Sequence, residues 1–247
     1  MARVLIWDLP TRLFHWLFAG GFLAAALIAL ALDEDGPLFP FHAIIGLTLA
    51  IMIVLRVVWG LAGSRYARFG SFLFGPRSVA EYVIGVVTGA GRRHIGHNPG
   101  SAYAILAMLA MTLALAVTGI MMAQGAEDLK EVHEVLAWAM LAVIGAHVLG
   151  VVVYTIRRRE NITASMIHGR KTAEEAAGIR STHPVAAAAF LLLSGAWAAA
   201  LLANYDAASQ STVVPLLGTL QIGEAEHDVE GSRRRGHEER DHDDDDD

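Results

Sequence analysis

The chain has 247 residues, is 54% hydrophobic, has a mean hydropathy of +0.44 and contains no cysteine. That apolar balance points to a membrane protein. The lack of cysteine excludes thiolate-held iron–sulfur clusters, disulfides and thioether-linked haem within this chain. The formal charge of −6 belongs to the C-terminus: residues 224–247 hold twelve acids against four arginines, which leaves about +2 on the rest. With no basic domain, nucleic acid is not an expected partner.

Five apolar runs follow in chain order. Leu13–Leu32 carries no charge. It exceeds the ~7–15 residues of a signal-peptide core and follows Asp8 and Pro10, so it reads as a retained span. Phe41–Gly63 is interrupted only by Arg56. Residues 78–90 read as a short interfacial helix. Asn98-Pro99 then has the form of an N-cap and first-turn proline for the run Pro99–Ala123. Val132–Ile156 has a single acid, Glu134, near its start, and Pro184–Ala203 is alanine-rich. A helix of about twenty residues crosses a hydrocarbon core of ~30 Å. Thirteen basic residues, among them Arg3, Arg93, Arg157–Arg159, Arg170 and Lys171, fall on one side of these spans, against Lys130 alone in the opposite loops. The expected N-terminus is cytoplasmic, and an odd number of spans places the C-terminal tail outside. The tail from Glu224, with His227, His237, His242 and five terminal aspartates, has the composition of a disordered segment.

Histidines inside spans default to a functional reading. His15 starts the first span and His42 the second, so they lie at opposite faces; the fourth span carries His133 at its entry and His147 deeper. Fourteen helical residues separate His133 from His147 by ~21 Å and leave both on nearly the same side. Depth therefore pairs His42 with His133 and His15 with His147. Two imidazoles facing each other from different helices suit the axial positions of a haem. Gly46, Gly119, Gly145 and Gly150 lie near these histidines, where small residues would clear space for a macrocycle. For any single histidine the competing reading is a bond to a neighbouring carbonyl. A haem-free, histidine-lined metal or proton transporter is the alternative of another class, although no Asp or Glu lies deep in these spans to supply a relay. Arg12 and Arg56 are candidates for pairing with haem propionates, with snorkelling to lipid phosphate as the competing role. His97 reads as a solvated loop histidine or a proton donor to quinone, and His94, His168 and His183 as non-ligands. Trp7, Trp16 and Trp59 fit an aromatic belt.

The stretch Val4–Trp16, VLIWDLPTRLFHW, resembles the opening of prokaryotic cytochrome b561 proteins and of the b-type cytochrome subunits of nickel–iron hydrogenases. His42 with Gly46, Arg56, Trp59 and Gly60 continue the likeness, as do GHNPG at Gly96–Gly100, HEVLAW at His133–Trp138, HVLG at His147–Gly150 and MIHGRK at Met166–Lys171. Ser101 departs from it, standing where many relatives carry a second glycine. The resemblance covers residues 4–171. It implies a four-helix core with two haem b groups on His15, His42, His133 and His147, and electron exchange between a quinone and a redox partner. The partner would be a periplasmic c-type cytochrome, or the iron–sulfur subunit of a hydrogenase or dehydrogenase that this chain anchors. The expected whole is an all-α protein of the bacterial inner membrane: a di-haem bundle over residues 1–171, a linker and fifth transmembrane helix over 172–205, and an extracytoplasmic acidic tail, disordered, over 206–247.

Overall fold

A computed structural model describes residues 2–33, 36–89 and 93–223. Among them are five helices long and apolar enough to cross a membrane: α1 (Leu9–Ala31), α2 (Pro40–Ala62), α4 (Pro99–Met122), α5 (Lys130–Arg158) and α7 (Pro184–Ala203). The shorter α3 (Pro76–Thr88) and α6 (Ile162–His168) lie in the connections. Helix α1 begins four residues before its apolar run because Asp8 caps it, accepting from the Thr11 N–H at 2.9 Å, with Pro10 in the first turn. Helix α4 starts on a reciprocal capping box. Asn98 Oδ1 accepts from the Ser101 N–H at 2.8 Å, and Ser101 Oγ accepts from the Asn98 N–H at 3.2 Å. The serine that departs from the family pattern thus gains a bond that glycine cannot make.

Helices apolar on every side associate by close packing rather than by an apolar stripe. Here α1 packs on α2 and α4 on α5, the two pairs meet along α2–α4, and α7 lies against α2 and α1. Helix α2 is central, with Ile44, Leu47, Leu49, Met52, Ile53 and Arg56 buried. At its end Gly60 admits the Phe69 ring, which occupies the place where a Cβ would stand.

The N-terminus and two connections gather at one end of the bundle. Strand β1 (Ala2–Leu5) pairs antiparallel with β2 (Arg170–Ala173), Ala2 opposite Ala173 and Leu5 opposite Arg170. Two of the stretches that carry the family likeness therefore meet in one ribbon. Arg93 holds Glu160 and donates to the Thr172 carbonyl at 2.8 Å, and Tyr66 donates to the Ala177 carbonyl. The short helix expected over residues 78–90 is present as α3, ending at Gly89 with φ 78°.

At the opposite end the structure corrects the expected tail. Residues 205–221 form a three-stranded antiparallel sheet of β3 (Tyr205–Asp206), β4 (Ser211–Val214) and β5 (Gly218–Gln221). Thr212, Val214 and Leu220 alternate inward with period two, and Ile222 continues the buried face. They cover Ile44, Leu47 and Leu201, and Thr212 Oγ1 donates to the Leu201 carbonyl at 2.7 Å. An apolar patch at the bundle end gives these short strands the burial that an isolated sheet lacks. The acidic segment 224–247 lies outside the described residues.

Candidate functional site

His42 is the third residue of α2 and reaches across to α1, its Nδ1 2.9 Å from the Ala25 carbonyl oxygen. A carbonyl only accepts, so Nδ1 donates, and in a neutral ring Nε2 is then the nitrogen with the lone pair. His133, in the first turns of α5, places its Nδ1 2.8 Å from Thr118 Oγ1 on α4. The Thr118 hydroxyl bonds back to the Ala114 and Leu115 carbonyls at 3.0 and 3.1 Å, so its lone pair is available to Nδ1–H. Each ring is thus held through Nδ1 by a partner on a neighbouring helix, which fixes its orientation.

The His42 and His133 ring centroids lie 6.2 Å apart. Two imidazole–metal bonds of about 2 Å each, with the ring radii added, span such a gap. Gly46, one turn beyond His42, has no atom within 4 Å of where a Cβ would stand. A Cβ on Gly119 would lie 3.6 Å from His133 Cε1, so this backbone borders the same ring. Among the described residues no three His, Cys, Asp or Glu side chains group to hold a metal ion. Two imidazoles alone leave a bare divalent ion short of ligands, whereas they complete an iron that arrives with four porphyrin nitrogens. The donor set fits a haem.

The second pair lies toward the N-terminal end. His15, seventh residue of α1, and His147 of α5 are close enough to act on each other electrostatically. His15 Nδ1 is sealed from solvent with no partner among the described residues, and Trp16 meets the His15 ring edge-on at 4.8 Å. Arg56 is only 4% exposed, which removes the snorkelling role. Its Nη2 donates to the Ala67 carbonyl at 3.1 Å, its guanidinium stacks on Phe69 and Phe14, and Nη1 is buried without a partner among the described residues. Arg12 donates to the Ile167 carbonyl and ties α1 to α6; its Nε is also buried without a partner. Two buried guanidinium N–H groups at this level suit an anion such as a propionate.

His97 is not solvated. Its ring lies 4.7 Å from Trp7 and 4.4 Å from Phe72, and His15, His147, Arg56 and Lys171 all act on it. Burial, reinforced by the Arg56 and Lys171 charges, lowers its pKa to about 3. His168 lies apart, beside Arg3, and His183 packs edge-on against Trp59.

Asp8 and Thr118 are the residues that sequence reading missed as supports. Asp8 is 1% exposed and, besides capping α1, accepts from Trp59 Nε1 at 3.1 Å and from Ser64 Oγ. Its place before Leu9-Pro10 signals the cap, but nothing local signals partners more than fifty residues away.

Residues 6–169 match a family model described as prokaryotic cytochrome b561. A protein of Rhizobium leguminosarum bv. viciae named "Probable Ni/Fe-hydrogenase B-type cytochrome subunit" is 25% identical, over 68% of this chain and 88% of its own length. A protein of the same name from Rhodobacter capsulatus is 22% identical, over 68% and 81% respectively. No solved structure gives a significant match.

Proposed function

The chain belongs to the prokaryotic cytochrome b561 family, and we propose that it passes electrons between the quinone pool and a redox partner over two haem b groups, one held by His42 and His133, the other by His15 and His147. Family membership makes it a multi-pass membrane b-type cytochrome of electron transfer, with haem b as cofactor. The observation that carries the haem reading is the His42/His133 pair, its ring centroids 6.2 Å apart and each ring engaged through Nδ1, which makes Nε2 the atom to ligate.

A bound haem b supplies a one-electron iron couple whose potential follows its axial ligands, its burial and nearby charge. The chain's own residues do the rest. The Ala25 carbonyl and Thr118 hold His42 and His133 in one tautomer and orientation. Helix α5 carries one ligand of each pair on a continuous 29-residue rod and so fixes their separation at ~21 Å along its axis. Arg56 and Arg12 offer propionate-binding N–H groups at the N-terminal level, where His97, with its pKa lowered to about 3, stays neutral and is no proton donor to quinone. The basic end faces the cytoplasm and the sheet the periplasm, in a bacterial inner membrane.

The names of both relatives favour a specific form of this reading, in which the chain anchors a hydrogenase and takes its electrons. With no cysteine in the chain, iron–sulfur centres would have to reside in that partner. The test is a reduced-minus-oxidised visible spectrum of the purified protein, with haem counted after acidic acetone extraction. Two extractable haems per chain are expected; zero or one would contradict the proposal. Reduction by added quinol without any partner chain supports the quinone step. Reduction only by hydrogen in the presence of a hydrogenase would restrict the chain to the anchor role.

A further inference from the structure

A cavity of about 370 Å³ opens at the N-terminal end of the bundle, where α5 ends, α6 begins and β1 pairs with β2. Six cationic side chains line it, Arg3, Arg93, Arg158, Arg159, Arg170 and Lys171, against one carboxylate, Glu160. That carboxylate is already held by Arg93 at 3.0 and 3.1 Å. The fold imposes this crowding. The β1–β2 register sets Arg3 opposite Thr172 and Leu5 opposite Arg170, and Arg159 turns the chain out of α5 at φ 50°. Like charges held in one concavity create a strongly positive local potential and so attract an anion.

His168, on the cavity wall, adds an independent observation. Its Nδ1 lies 3.0 Å from the Arg170 backbone N–H, and its Nε2 lies 3.3 Å from Arg3 Nη2. Both neighbours are donors only, whereas a neutral imidazole offers one acceptor and one N–H. In either tautomer, one ring nitrogen meets a donor with a donor. An anionic oxygen between Nε2–H and the Arg3 guanidinium would accept from both.

The surroundings select the anion's chemistry. Arg158 also lines a groove of about 240 Å³ between α3 and α5, bordered by Val86, Val153, Tyr82 and Tyr154. Val83 and Ile84 of α3 are exposed. A cationic cavity joined to a partly apolar groove, at the level where a transmembrane helix ends, matches a phosphate headgroup carrying an acyl chain. We propose that this cavity binds the phosphate of an anionic phospholipid, with one acyl chain along the α3–α5 groove.

The haem-loaded full chain, in non-ionic detergent, is titrated separately with phosphatidylglycerol, phosphatidylcholine and inorganic phosphate, and bound molecules are counted by native mass spectrometry. Phosphatidylglycerol should be retained with one tight site, and the other two should bind much more weakly. The double variant Arg159→Gln, Arg170→Gln should weaken that site by about 25-fold, at about fivefold per cation removed. An unchanged haem spectrum shows that the variant is folded. Should it lose haem, the exposed Arg3→Gln alone is read, with about a fivefold loss expected. Equal retention of phosphatidylcholine, or affinity unaltered by these changes, would overturn the proposal. Inorganic phosphate binding as tightly as phosphatidylglycerol would overturn its lipid part, and displacement of phosphatidylglycerol by an acidic peptide at lower concentration would reassign the cavity to a protein partner.

Discussion

At the His42/His133 level both imidazoles are hydrogen-bonded through Nδ1, and the neighbouring bundle end is covered by Val214, Leu220 and Ile222 of the sheet. At the His15/His147 level His15 Nδ1 has no partner among the described residues, while both histidines act electrostatically on His97, as do Arg56 and Lys171. One level is organised by ring orientation and apolar cover, the other by buried cations and aromatic rings. On the proposed di-haem reading, two sites with the same ligand chemistry would thereby have different electrostatic settings, the usual means of separating two potentials within one protein. The cationic level should have the higher potential, because positive charge favours the reduced, less positive iron.

Among substitutions that leave all four histidines in place, Asp8→Ala should have the largest effect. It leaves the half-buried Trp59 and the buried Ser64 donors unsatisfied and removes the α1 cap, for a loss of about 3 kcal/mol. On heating, haem should leave the N-terminal level first, and Asp8→Asn should recover part of the loss by keeping an oxygen acceptor. If Asp8→Ala shed haem from both levels together, the supports of the two sites would not be separate. Thr118→Val comes next. It keeps the shape but removes the acceptor for His133, so haem retention at that level should fall about 10–100-fold. A competition assay with apo-myoglobin measures this, and an equal loss at the His15/His147 level would break the comparison. Arg56→Gln should act on potential rather than occupancy. We expect the midpoint of the N-terminal component to drop by roughly 60 mV, a tenfold change in a one-electron equilibrium, with a smaller shift of the other component. A rise, or an equal shift of both in a potentiometric titration, would remove the assigned role of the guanidinium.

What was legible in the sequence was whatever depth and periodicity encode. Uninterrupted apolar runs located all five long helices within a few residues, and charge-rich loops marked the end where β1, β2 and Arg93 meet. Depth along alternating spans likewise put His42 and His133 at one level, and their rings lie 6.2 Å apart in the fold. What was not legible depends on partners distant in sequence. Asp8 meets Trp59 and Ser64 only after α1 packs on α2, and His97 loses water only when Trp7 and Phe72 close on it. The sheet at 205–221 escaped for another reason: its strands are two to four residues long, too short for period two to stand out, and they owe their burial to the end of the bundle. Arg56 shows the limit of reading depth alone, since a position near a helix end left open a solvated role that the packing of Phe14 and Phe69 denies.

The central claim is that each haem lies between one helix pair, with α5 contributing a single ligand to each. It is tested most directly by replacing His15, His42, His133 and His147 singly with alanine and following each variant by redox titration with visible and electron paramagnetic resonance spectra. The account predicts that His15→Ala and His147→Ala lose or convert to high spin one and the same component, and that His42→Ala and His133→Ala do so to the other. Loss of the same component from His133→Ala and His147→Ala, the two positions ~21 Å apart on one helix, would contradict it.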